Sequence, residues 1–286
     1  MKKILVPTDF SEQAENALKV AANLARRFNG EIYLLHMLEL PLQMVNPVGS
    51  NRSSDLPEAL FFMKLAKKRF TEILSQPYLK GLKVHETVEF HQAFEGIIET
   101  SREHGCDFIV MGSQGASGFK EMFIGSNTEK VVRTSDIPVL VIKKDPGELK
   151  IKNFIFATNL DNHNKKTLKK VIAFAQLMEA KLHLVYINTA NEFITSKETD
   201  EYLEKFLEGS DFDNYEFHVY NDDSVEQGIM NFANKMNADL IGIATHGRKG
   251  LSHFFNGSIS EDLVNHSKIP VITFRLQKPE NKKVFP

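Results

Sequence analysis

The chain has 286 residues, 42% hydrophobic and 25% charged, with a formal net charge of −2. That is enough for one large or two ordinary globular domains with a real core, and it excludes a generally basic surface for coating nucleic acid. The single cysteine, Cys106, excludes an internal disulfide and fits a reducing compartment.

The N-terminal run Lys3–Pro7 is short and mostly apolar, as suits a strand buried on both faces. It is too short for a signal peptide, and no stretch reaches the roughly 18 apolar residues of a membrane span. A cytoplasmic chain with no membrane partner is expected. A helix follows, with Ala14, Ala17, Leu18, Ala21, Leu24, Ala25 and Phe28 at helical spacing and Gly30 at its end. Glu31–Met37 reads as the second strand. The segment Leu40–Pro57, LPLQMVNPVGSNRSSDLP, has loop chemistry; a loop of this length is either functional or a tolerated insertion. A helix over Glu58–Ser75, a strand over Val84–Phe90, a helix over Phe94–His104 and a strand over Asp107–Gly112 come next. A glycine-rich loop then leads to a helix from Ser126, and Pro138–Lys143 is the fifth strand.

The segment Lys144–Lys152, KDPGELKIK, reads as a linker, after which the same order recurs. Strands are expected at Phe154–Ala157, Leu182–Ile187, Tyr215–Tyr220, Asp239–Ala244 and Pro270–Arg275. The second half repeats the first. Adding 132 to Gly96, Asp107, Gly115, Gly125, Ser126 and Pro138 gives Gly228, Asp239, Gly247, Gly257, Ser258 and Pro270. At the start of the halves the offset is 150, which takes Thr8, Leu18, Ala25 and Leu34 to Thr158, Leu168, Ala175 and Leu184. The first half therefore carries about 18 additional residues between Glu39 and Gly96, for which the loop over 40–57 is the natural home. Two α/β domains, 1–144 and 152–277, follow, each with a five-stranded parallel sheet of Rossmann-like type. Ligands of such sheets sit beyond the C-terminal strand ends, where strand order reverses.

At the end of the fourth strand stand Gly112, Gly115, Gly125 and Ser126, in the pattern G-x2-G-x9-G-S. Glycines let backbone N–H groups approach an anion closely, and a helix N-terminus favours negative charge. Ser126 and Thr128 add hydroxyl donors; Ser126 is also a candidate N-cap. The loop is neither a Walker A motif nor a dinucleotide fingerprint.

KKILVPTDFS, LLHMLE, DFIVMGSQG and GSNTEKVVRTSDIPVLVIK together resemble the universal stress protein family, twice over and along nearly the whole chain. The resemblance implies an adenine-nucleotide α-hydrolase-like fold and an ATP site. Asp9 would meet the ribose or adenine, and the backbone at Met37 the adenine edge. Gly112, Gly115, Gly125 and Ser126 would hold ribose and phosphates beside Asn127 and Thr128, with Pro7, Thr8, Met111, Ala116 and Ser117 completing the lining. Mg2+ would arrive on the phosphates. Asp9 has a second reading as a cap of the first helix, and Met37 and Met111 as core residues.

The second half departs from this pattern. Ala157 replaces Pro7, Asn159 replaces Asp9 and Ala244 replaces Gly112, while Gly247, Gly257 and Ser258 remain. His246 and Arg248 are either phosphate contacts or exposed loop residues. Nucleotide is expected in the first half, with weak or no binding in the second.

No nucleophile elbow, zinc-protease motif or cysteine pair is present, so no catalytic residue and no metal ligand is assigned. Of the ten histidines, His36 and His183 read as core or sheet-face residues rather than zinc ligands, and Cys106 as a small buried residue. The expected function is an ATP-binding stress-response regulator with at most slow hydrolysis. The alternatives are a nucleotide-free interaction scaffold and, less favoured, an ATP-hydrolysing or AMP-transferring enzyme. ADP and cyclic AMP remain alternatives to ATP. By the same resemblance the fifth strands would pair the two domains within one chain, which could dimerise again.

Overall fold

Ile4, Leu5 and Val6 are consecutive, and all three are fully buried. Successive strand residues point to opposite faces, so both faces of this strand are covered, which is why it reads as a continuous apolar run. The computed structural model describes residues 1–38, 55–90, 92–113, 125–145, 147–161, 165–245 and 263–276, and for 55–59 the backbone alone. The chain divides into two compact units, Met1–Val131 with Ile137–Leu149, and Val132–Asp136 with Lys150–Pro286.

In the first unit, strands β1 (Lys3–Pro7), β2 (Glu31–Met37), β3 (Lys83–Glu89), β4 (Phe108–Gly112) and β5 (Val139–Ile142) pair in parallel in the order β3-β2-β1-β4-β5. Its helices are α1 (Glu12–Phe28), α2 (Asp55–Leu74), α3 (Ala93–Glu103) and the first six residues of α4 (Ser126–Thr134), whose residues 132–134 count with the second unit. In the second unit, strands β6 (Asn153–Ala157), β7 (Lys181–Asn188), β8 (Tyr215–Asn221), β9 (Leu240–Thr245) and β10 (Val271–Arg275) are again parallel, in the order β10-β9-β6-β7-β8. Helices α5 (Lys165–Met178), α6 (Ser196–Leu207) and α7 (Val225–Lys235) connect them. Every expected strand is present, with ends within one residue of the sequence reading.

Three expectations change. The first helix ends on Asn29, which takes the left-handed conformation with φ 50°. Gly30 serves a different need: a Cβ there would sit 3.0 Å from the Lys2 carbonyl oxygen. Helix α2 begins at Asp55, three residues inside the expected loop, and Pro57 is tolerated in its first turn; residues 39–54 lie outside the described part. Helix α1 buries more than one stripe, since Val20 and Ala22 join the expected set.

The repeat is also written in hydrogen bonds. Asp107 Oδ2 accepts from the backbone N–H groups of Lys2 and Lys3 at 2.7 and 3.1 Å. Asp239 Oδ2 does the same for Lys152 and Asn153 at 2.8 and 2.9 Å. Each aspartate thus anchors the start of the sheet's central strand, which accounts for its retention at both repeat positions. The expected linker folds against α1: Lys19 Nζ lies 3.3 Å from Asp145 Oδ2, and Asn23 Nδ2 donates to the Gly147 carbonyl.

Candidate functional site

Strand order reverses between β1 and β4, and the C-terminal ends of these two neighbours frame the first unit's crevice. Thr8, just beyond β1, is buried and fixed on every side. Its N–H donates to the Leu35 carbonyl at 2.8 Å, its hydroxyl accepts from Phe10 N–H, and its carbonyl faces His36 Nδ1 at 2.8 Å. Phe10 has φ 64°, an unusual conformation for a bulky residue. Asp9 Oδ1 accepts from Ser11 N–H at 3.1 Å, a local side-chain turn that aims the chain into α1. The cap of α1 is Ser11, whose hydroxyl accepts from Ala14 N–H. The capping reading of Asp9 is therefore corrected.

Asp9 instead lines a cleft of about 320 Å³ together with Phe10, His36 and Leu38. Helix α2 supplies the opposite wall through Phe62, Leu65 and Arg69. The His36 and Phe10 rings lie 4.4 Å apart, and Phe70 meets Phe10 edge-on at 5.4 Å. Burial holds the His36 pKa below the ordinary imidazole value, against the opposing pull of the Thr8 carbonyl and the Asp9 carboxylate. The site thus offers an aromatic floor, one carboxylate and one guanidinium. Pocket sizes from about 300 Å³ suit small ligands.

Across the crevice, Met111 is buried in β4 and belongs to the core. Gly112 has a packing reason of its own: a Cβ there would lie 2.9 Å from the Gln13 backbone carbon in α1. Gly125 N–H donates to the Ser113 carbonyl at 2.8 Å, which ties the residues on either side of 114–124 together; 114–124 themselves lie outside the described residues. The Gly125 carbonyl accepts from Glu129 N–H, so Gly125 occupies the N-cap position assigned to Ser126 from the sequence. Thr128, expected to add a hydroxyl donor, is buried, and its hydroxyl donates to the Gly112 carbonyl at 2.9 Å. Ser126 and Asn127 open α4, whose first-turn N–H groups have no intrahelical acceptor and suit an anion. Pro7 and Met37 end β1 and β2. Gly115, Ala116 and Ser117 lie outside the described residues, as do His246, Arg248, Gly247, Gly257 and Ser258 in the second half.

In the second unit the chain repeats the β1–α1 turn: Leu160 has φ 58° and donates to Thr158 Oγ1, and Asp161 N–H donates to Asn159 Oδ1. The cleft there measures about 10 Å³. Phe206 from α6, almost fully buried, lines it beside Thr167, Asn159 and Ala244.

The model of the universal stress protein family matches residues 1–143 and again 150–275. The chain belongs to the universal stress protein family. It carries that domain twice. Universal stress protein MJ0577 of Methanocaldococcus jannaschii is 34% identical over 154 residues, which cover 50% of this chain and 95% of that one. Universal stress protein Slr1230 of Synechocystis is 24% identical over 297 residues and spans 96% of this chain and all of its own length. The crystal structure of a universal stress protein from Archaeoglobus fulgidus matches with a TM-score of 0.71 at 21% identity, covering 96% of this chain and 97% of that one. That likeness supports the tandem α/β fold. No helix among the described residues of this universal stress protein is long and apolar enough to cross a membrane.

The aromatic floor of the cleft and its guanidinium escaped the sequence reading, whereas Asp9 was expected. Phe10 stood in the quoted KKILVPTDFS segment without a role, and His36 in LLHMLE was read as a core or sheet-face residue. Phe62, Leu65 and Arg69 became site residues only when α2 was placed opposite them.

Proposed function

We propose that the first domain binds ATP and that the protein acts as a nucleotide-dependent regulator with slow hydrolysis at most. The observation that carries this reading is the convergence, at the strand-order reversal, of the Asp9 cleft, the Gly112–Ser113 strand end and the N-terminus of α4. Asp9 would accept a hydrogen bond from ribose or base, the Phe10–His36 floor would pack against the adenine, and α4 would face phosphate. Mg2+ would enter bound to the phosphates and keep its waters. The narrower second cleft supports a single nucleotide per chain.

The test is to denature freshly purified protein and quantify the released small molecules by chromatography with mass detection. About one adenine nucleotide per chain is expected, as the one intact glycine motif implies. Asp9→Ala should weaken binding, and Gly115→Val or Gly125→Val should abolish it by blocking the phosphate cradle. Wild-type binding in all three variants would refute the site. Failure of the wild-type chain to bind ATP with magnesium would turn the reading to the nucleotide-free scaffold.

A further inference from the structure

A second cluster lies in the second unit, away from its nucleotide-type motif. His183 on β7 stands directly opposite Glu216 on β8, and His218 follows two residues along the same strand. Alternation therefore puts Glu216 and His218 on one face, shared with His183. His183 Nδ1 and His218 Nε2 are 3.1 Å apart, and Glu216 Oε2 lies 3.6 Å from the first and 3.7 Å from the second. Two ligand atoms on a tetrahedral zinc ion, each about 2.0–2.1 Å from it, are separated by about 3.3 Å. The three donor separations are thus within a few tenths of an ångström of those in a metal-binding triangle.

The surroundings support the same chemistry. Asn153 Oδ1 lies 3.4 Å from His183 Nε2, so it accepts that N–H and leaves Nδ1 as the lone-pair donor. Without metal, His218 Nε2–H donates to His183 Nδ1. With metal, His218 takes its other tautomer and presents Nε2. The second Glu216 oxygen, Oε1, pairs with Lys181 Nζ, which orients the carboxylate while Oε2 faces the imidazoles. The His183 side chain is 3% exposed, His218 24% and Glu216 47%, which seats the site at the sheet surface with one side toward solvent. Phe232 of α7 covers His218, with ring centres 5.0 Å apart.

The first unit has no such set at the matching place. Tyr33 occupies the position of His183, pairs in register with His85 and stacks on it at 4.7 Å. Thr87 takes the place of His218. Among the described residues this is also the only group of three or more His, Cys, Asp or Glu side chains arranged to hold a metal ion.

We propose that His183, Glu216 and His218 bind a divalent zinc-like cation in the second domain, with water in the fourth position. Soft thiolates are absent and two imidazoles join one carboxylate, a donor set suited to zinc rather than magnesium or calcium. The test uses the full chain, freed of metal with a chelator and of any affinity tag, titrated with Zn2+ against a chromophoric chelator. One tight site per chain is expected, weakened at least tenfold in His218→Ala and in Glu216→Gln. With Co2+ the wild type should show the visible bands of a four-coordinate ion, and both variants should lose them. If His218→Ala fails to fold, Glu216→Gln alone decides, since Glu216 is largely exposed. Zinc binding that is absent in the wild type, or equal in wild type and folded variants, overturns the proposal.

Discussion

Gly112 sits where one backbone meets another. Its residue type looked like a phosphate-loop requirement, and the contact with Gln13 gives an independent reason for it. Gly112→Ala should therefore destabilise the chain even without nucleotide, by about 1–3 kcal/mol, the usual cost of overpacking. A urea melt with a lowered midpoint and unchanged slope would show this; an unchanged midpoint would mean that α1 yields freely. Cys106 is the opposite case, since its sequence reading needed no correction. It is buried, and burial pushes its thiol up to about 11. At pH 8 roughly one such thiol in a thousand is ionised. Ellman's reagent should react with the folded protein only as it opens, and with denatured protein at once. His183 shows what sequence spacing conceals. Its partners lie more than thirty residues away and are brought to it by strand register alone. No local motif announced them, and its apolar neighbours made a core histidine the natural reading.

Elements were legible wherever periodicity had one interpretation. Most of the strands emerged because parallel strands buried on both faces are apolar runs bounded by turn residues, whereas the edge strands β3 and β8 are more polar and only partly buried. Ends of helices were less legible, because capping is decided by backbone geometry as much as by residue type. Asp9, Thr8 and Ser11 are all plausible caps of α1, and only the left-handed Phe10 puts Ser11 in that position. Ser11→Ala should cost about 1 kcal/mol through the lost bond to Ala14. Chemical denaturation of that variant checks the assignment, and a change below a few tenths would contradict it. The candidate site divides in the same way. Gly112 and Gly125 were legible from their spacing and Asp9 from the family resemblance, whereas the cleft's far wall depends on where α2 packs.

Over the whole molecule, the duplicated pattern was the most legible feature, since residue type persists at fixed offsets. What residue identity could not give was the difference in volume between the two clefts, the smaller of which Phe206 helps to line.

The anchoring of β1 by Asp107 has a consequence for synthesis. β1 is central in its sheet, yet β4, its neighbour on one side, follows about a hundred residues later; the bond from Lys3 N–H to Asp107 spans 104 residues. At about 5–20 residues per second, the ribosome takes on the order of ten seconds to deliver that partner. During this interval β1 and β2 can pair, but one edge of β1 is left open to foreign strands. The second domain meets the same delay, with 86 residues between Asn153 and Asp239. The nascent chain therefore passes twice through a state with an unpaired apolar strand edge, and each passage ends when an aspartate arrives.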